Sequence, residues 1–291
     1  MRPFVRVVML ALALSLMASV SDAKVLTVGS YHGSKGQYST IQAAVDAAAP
    51  GDWILIGPGD YKTSSSRIAS DSASTFPAGV LITKANLHLR GMNRNSVIVD
   101  GTTTGPACND IKADQNFGPS TPNGPAGLNG ILVYKANDVW VQNLTACNFL
   151  GGADAAGNEI WWNGGAGTGG DTQVQIGGWG FLGTYLTATT TFFDPTVSQS
   201  AAETSAAQYG IFSSNWSGGT WDNTYASNFN DSGYYIGACG QVCDQTVNHA
   251  WSEYNALGYS GSNSGGSLVI ENSQFDNNQD GFDTNSQNGD N

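Results

Sequence analysis

Apolar residues in this chain come in short bursts, and glycine, asparagine, aspartate and serine fill the gaps between them. Bursts of strand length bounded by turn formers read as β-strands. The pattern predicts strands at residues 25–28, 53–56, 87–92, 97–101, 130–134, 139–144, 172–176, 184–189, 209–213, 221–227, 234–237, 245–250 and 268–271. One segment has a different period. In S-T-I-Q-A-A-V-D-A-A-A-P-G-D, Ile41, Ala44, Val45 and Ala48 recur at helical spacing behind Ser39 or Thr40 as N-cap, and Pro50-Gly51 stops the helix.

From residue 223 onward the pattern copies itself. N-T-Y-A-S-N-F-N-D-S-G-Y-Y, N-H-A-W-S-E-Y-N-A-L-G-Y-S and N-S-Q-F-D-N-N-Q-D-G-F-D align on Gly233, Gly258 and Gly281, which lie 25 and then 23 residues apart. Three residues before each glycine stands an asparagine (Asn230, Asn255, Asn278), and one after it an aromatic (Tyr234, Tyr259, Phe282). Five before it the copies differ, with Asn228, then Glu253, then Asp276. V-Q-N-L-T-A-C-N-F at 141–149 repeats the phrase, with Asn148 three before Gly151. A period of this size marks a solenoid. Stacked copies set equal positions about 4.8 Å apart, which predicts an asparagine ladder and an aromatic stack, both serving the scaffold.

The stretch T-I-Q-A-A-V-D-A-A-A-P-G-D-W-I-L-I-G-P-G-D-Y, residues 40–61, resembles the start of right-handed parallel β-helix proteins of the pectin-lyase-like superfamily. L-H-L-R-G-M at 87–92 and V-I-V-D-G at 97–101 continue the likeness, which extends over residues 24–291. It implies an all-β chain, a right-handed single-stranded parallel β-helix with a short N-terminal capping α-helix, with cap and first rung in 24–61. The cap has a physical purpose, because an open coil end exposes both core and unpaired backbone. The sequence stops at Asn291 in a polar tail with no recognisable cap, so a continuation is expected.

Composition refines the compartment. Arg2 and Arg6, an apolar run over 7–20 and Ser21-Asp22-Ala23 read as a secretory signal peptide cleaved after Ala23, so the protein is expected outside the cell or in a periplasm. The run is short for a membrane span, and no later stretch reaches the required length of roughly 20 residues. The four cysteines Cys108, Cys147, Cys239 and Cys243 then favour disulfides, with the pairing open. The net charge of −12 argues against nucleic acid or anionic membranes as partners. All eleven Lys and Arg lie at or before Lys135, while residues 136–291 carry fifteen Asp and Glu.

Three long connections are expected to be functional, at 102–129, 151–170 around Trp161-Trp162, and 190–207. Solenoid insertions tend to fall on one face. Trp161, Trp162 and Trp179 are the expected sugar-stacking residues, since flat rings beside amides and hydroxyls suit a glycan. Asp276, Asp280 and Asp283 are expected as Ca²⁺ ligands, because hard carboxylate oxygens suit that ion. Asp280, Asp283 and Glu253 are the alternative acid and base residues. The phrase N-N-Q-D-G-F-D is also similar to the Ca²⁺-binding rungs of pectate lyases of the family-9 type. The resemblance implies β-elimination on polyuronates, which needs a Lys or Arg base; from residue 136 onward there is none, leaving Lys84, Arg90, Arg94, Lys112 and Lys135. The G-H-G and R-I-K motifs of polygalacturonase-like hydrolases are not found. The resulting expectation is an exported monomer that recognises, and in one reading cleaves, an extracellular polysaccharide. The rivals are a non-catalytic adhesion scaffold and a Ca²⁺-dependent polyuronate lyase.

Overall fold

The computed structural model describes residues 22–63, 67–72, 74–154, 156–165, 176–198 and 205–285. The expected signal peptide, apart from its last two residues, and most of the expected strand at 172–176 lie outside them, as does the polar tail after Asn285.

The chain winds as a right-handed parallel β-helix with three faces. Face one holds Val25–Val28, Trp53–Ile56 and His88–Gly91, then the leading halves of Val139–Cys147, Phe181–Thr189, Gly219–Ser227 and Gln245–Glu253, then Val269–Glu271. Face two holds Gly59–Lys62, Val97–Asp100, the trailing halves of those same strands, and Gln274–Asp276. Face three holds Thr75–Ile82, Asn129–Tyr134, Asn158–Asn163, Tyr209–Ser214, Ser232–Gly240, Leu257–Ser264 and Asp280–Asn285, all parallel, with Arg67–Ser70 folded back antiparallel on its first strand. Between faces one and two the strand bends at a single left-handed residue, at Asn143, Tyr185, Asn223, His249 and Asn272 (φ 57°, 53°, 54°, 49° and 49°). Asparagine recurs at this bend because its short side chain tolerates that conformation better than most.

The helix Ile41–Ala47 covers the N-terminal end as expected. Thr40 is the cap, its hydroxyl accepting from the Ala43 amide at 3.3 Å. Ile41, Ala44 and Val45 join the same buried cluster as Leu26, Ile54 and Leu89. Inside the coil the expected aromatic stack continues an aliphatic column, since Ile131, Ile160, Ile211, Tyr234, Tyr259 and Phe282 follow one another in register. The Tyr259 and Phe282 rings stack at 4.6 Å.

The asparagine ladder exists but with one member changed. Asn255 Nδ2 donates to Asn278 Oδ1 at 2.9 Å, and the Asn255 amide donates to the same oxygen at 2.9 Å. On the preceding rung the donor to Asn255 Oδ1 is the Phe229 amide, at 2.8 Å, so Phe229 and not Asn230 holds the ladder position. Pairing shows why. Ser227, Glu253 and Asp276 share a register, and so do Gly233, Gly258 and Gly281 between their paired neighbours, so the turn after Ser227 contains one residue more than the later turns. Asn228 accordingly does not align with Glu253 and Asp276; it takes the left-handed turn position, as Tyr254 and Asn277 do.

A buried carboxyl lies in the strand Asn158–Asn163. Glu159 is fully buried; its Oε1 accepts from the Phe149 amide at 3.1 Å, while Oε2 has no partner among the described residues. Burial pushes its pKa well above the ordinary 4.5, so the fold favours the protonated form.

Two outcomes follow for stability. Asn255→Ala strands the Phe229 and Asn278 polar groups, and thermal unfolding is expected to show a loss of about 2 kcal/mol relative to the native chain. For Glu159 the folded pKa is raised, so its contribution is fully present below pH 4.5 and is lost as pH climbs toward the folded value. Glu159→Gln is therefore expected to raise the melting temperature at pH 7 and flatten its fall between pH 5 and pH 8; an unchanged pH profile would refute a buried neutral acid.

Candidate functional site

The long connections share one edge, between face two and face three. Residues 101–128, 148–157 and 190–208 each leave the end of a face-two strand and return to a face-three strand on successive rungs. They are tied together by side-chain contacts distant in sequence. Cys108 is disulfide-bonded to Cys147. Thr191 Oγ1 donates to the Cys108 carbonyl at 2.6 Å, and Asn148 Nδ2 donates to the Asn109 carbonyl at 2.8 Å. Lys112 pairs with Asp194 at 2.5 Å. Hydrogen bonds from Lys112 and Thr196 hold the Asp194 carboxyl down at about 2. Phe117 meets Phe192 edge-on at 5.7 Å. These residues form a wall. Cys239 and Cys243 form the second disulfide, closing a small turn away from it.

On the next rungs the wall stops, because the turns shorten to 228–231, 254–256 and 277–279. The step opens two adjoining hollows. One, of about 480 Å³, is lined by Thr190, Thr191, Phe193, Asn228 and Asn230 among others. The second, of about 370 Å³, is lined by Tyr254, Asn255, Asn277, Asn278 and Gln279 among others, and the two share Phe229 and Asn230. Phe193 is 63 % exposed and Tyr254 59 %. Amides and hydroxyls beside free aromatic rings give hydrogen bonding and stacking in one groove.

Carboxylates flank this groove on both faces. On face two, Glu253 is one rung from Asp276. Tyr225 Oη donates to Glu253 Oε1 at 2.8 Å, and burial together with that carboxylate pushes the phenol pKa up. Trp251 Nε1 donates to Asp276 Oδ1 at 3.1 Å. On the face-three side Asp231 accepts from Ser232 Oγ at 2.6 Å and lies against Tyr209, whose phenol is pushed far up mainly by burial.

The expected site residues are distributed differently. Glu253 and Asp276 adjoin as neighbours on paired rungs, but Asp280 and Asp283 lie past the turn, on face three. The expected Ca²⁺ ligands are thus split between faces, and among the described residues no three His, Cys, Asp or Glu side chains gather for a metal ion. The Trp161-Trp162 pair is not in a loop but in the strand Asn158–Asn163, and both rings are buried. Alternation sends them to opposite sides of the sheet. Trp162 points into the core and stacks on Phe181 at 4.7 Å; Trp161 lies on the outer side but is covered by Phe212 at 4.8 Å and Phe76 at 5.4 Å, leaving it 6 % exposed. Trp179 is exposed, at the opposite edge between faces three and one.

Sequence order also hides one cation. Arg94 reaches across the rungs, with Nε donating to Thr187 Oγ1 at 2.6 Å and a terminal nitrogen to the Asn223 carbonyl at 3.3 Å. No basic residue follows Lys135 in sequence, yet a guanidinium sits on face two beside Thr187. One cation thus reaches rungs that carry no Lys or Arg of their own.

No family model and no curated protein matches the sequence. Solved structures similar to this chain include the A-module of a mannuronan C-5 epimerase from Azotobacter vinelandii, with 14% identity over 79% of this chain and 57% of that one, at a TM-score of 0.49. A pectate lyase matches with 14% identity over 92% of this chain and 69% of its own, at 0.47. A pectin methylesterase in complex with a hexasaccharide matches with 14% identity over 87% and 67%, at 0.38. The chain spans little more than half of the epimerase module. By its own sheet pairing the chain is a right-handed parallel β-helix protein.

Proposed function

We propose that this is an exported protein that recognises an extracellular polysaccharide along the edge between faces two and three. The observation that carries the reading is the step at that edge, where the three long connections end and leave an amide-lined groove with exposed Phe193 and Tyr254. A groove running along the coil axis sets Asn228, Tyr254 and Asn277 at the same left-handed turn position of successive rungs, and so offers a polymer a contact on each. Two disulfides support the export reading, since such bonds persist in oxidising compartments. Among the described residues no helix is long and apolar enough to cross a membrane.

A panel of soluble polysaccharides, followed by affinity electrophoresis with and without Ca²⁺, tests the reading. Retardation by at least one polymer is expected, weakened about tenfold in Tyr254→Ala and in Phe193→Ala, which corresponds to one lost aromatic stack. Trp179→Ala, at the other edge, is expected to bind like the native chain. Unsaturated products absorbing in the ultraviolet, or new reducing ends, in the same incubations would identify a cleaving enzyme. Binding that survives both groove substitutions and fails in Trp179→Ala would move the site to the opposite edge.

A further inference from the structure

Beside the groove, the outer side of face two carries a second arrangement. Trp251 and Glu253 are two residues apart on one strand and so point the same way. Tyr225 is paired with Trp251 on the preceding rung, their rings edge to face at 5.6 Å, and its hydroxyl binds Glu253 Oε1. Tyr254, at the turn after Glu253, lies close enough to Tyr225 to raise its phenol pKa. On the following rung Asp276 holds the Trp251 indole N–H, and Gln274 Nε2 donates to its other oxygen at 2.7 Å. Trp251 is nevertheless 45 % exposed.

Aromatic rings gathered around carboxylates are the arrangement that recognises an ammonium group, which is drawn to the ring quadrupole and to the nearby negative charge. The charges around this patch agree. Asp222 and Glu271 lie on face one just past the bend, and His249, the bend residue, already faces Asp222 at 3.1 Å. Arg94 approaches this patch from the earlier rungs, with Nε held by Thr187 and a terminal nitrogen on the Asn223 carbonyl, on the Tyr225 strand and one rung before Trp251. Among the described residues it forms no ion pair with Glu253 or Asp276, whose partners are Tyr225, Trp251 and Gln274.

We propose that the polysaccharide taken by this edge carries free amino groups, and that Trp251, Tyr225, Glu253 and Asp276 hold one of its ammonium groups. The proposal rests on the glycan reading above and adds the substrate class. An acidic protein whose outer strands present carboxylates and rings has electrostatic complementarity to a polycation and repels a polyuronate.

Isothermal titration of the secreted chain with three hexasaccharides tests it: glucosamine, N-acetylglucosamine and galacturonic acid. The glucosamine oligomer is expected to bind at least tenfold more tightly than either of the others, and to weaken as salt is raised. Trp251→Ala and Glu253→Gln are expected to lose that preference, each by about tenfold, with unchanged melting temperatures showing that the fold is kept. Equal or tighter binding of the acetylated or anionic oligomer overturns the amino-sugar proposal while leaving glycan recognition standing. Preference intact in both variants removes the patch as its site. No binding of any oligomer, together with no retardation across the polysaccharide panel, overturns both readings.

Discussion

Parallel backbone pairing from rung to rung is the constraint on which the rest of this molecule depends. A parallel strand cannot satisfy its amides within its own turn of chain, so every rung must meet its neighbours in a fixed register on all three faces. From Val139 to Glu253 the paired residues keep one register on both sides of each left-handed bend, so a side chain's column is settled once its neighbour's is. Differences in length have to be absorbed where no pairing is required. From Val139 onward the bend between faces one and two turns on one left-handed residue per rung, and the connections at the other edges vary in length. This is why the long connections come together without any signal of their own pointing to one side.

The same constraint decides what the sequence can reveal. The cap at Thr40–Ala48 and the glycine-aligned repeats were legible because their spacing is local, a helical period and a rung length. Trp161 and Trp162 lie in a strand and not a loop, so alternation, and not the glycines after them, determines their surroundings. A single extra residue in the turn after Ser227 puts Phe229 where the glycine spacing predicts an asparagine, because the backbone registers by hydrogen bonds. Arg94, Lys112 and Cys108 were beyond reach for another reason. Their partners Thr187, Asp194 and Cys147 lie 93, 82 and 39 residues away, and no local pattern encodes which side chains a coil brings side by side.

The described cations are used within the scaffold. Lys84 donates to the carbonyls of Val45, Asp46 and Ala48, closing the C-terminal end of the capping helix where the helix dipole is negative. Lys62 lies between Asp60 and the buried Asp100, and Lys112 straps two wall loops together through Asp194. Arg94 is engaged by Thr187 and the Asn223 carbonyl. Each of these positive charges holds parts of the scaffold together, and the groove itself is lined by amides, hydroxyls and rings. A ligand approaching the last rungs therefore meets Glu253 and Asp276 with their tyrosine and tryptophan partners already in place. Those hydrogen bonds fix the carboxylates before anything binds, so little side-chain freedom remains to be lost on association. The positions that stay constant from rung to rung maintain the coil; the proposed recognition draws on the columns that change, Ser227 to Glu253 to Asp276 and Thr187 to Tyr225 to Trp251.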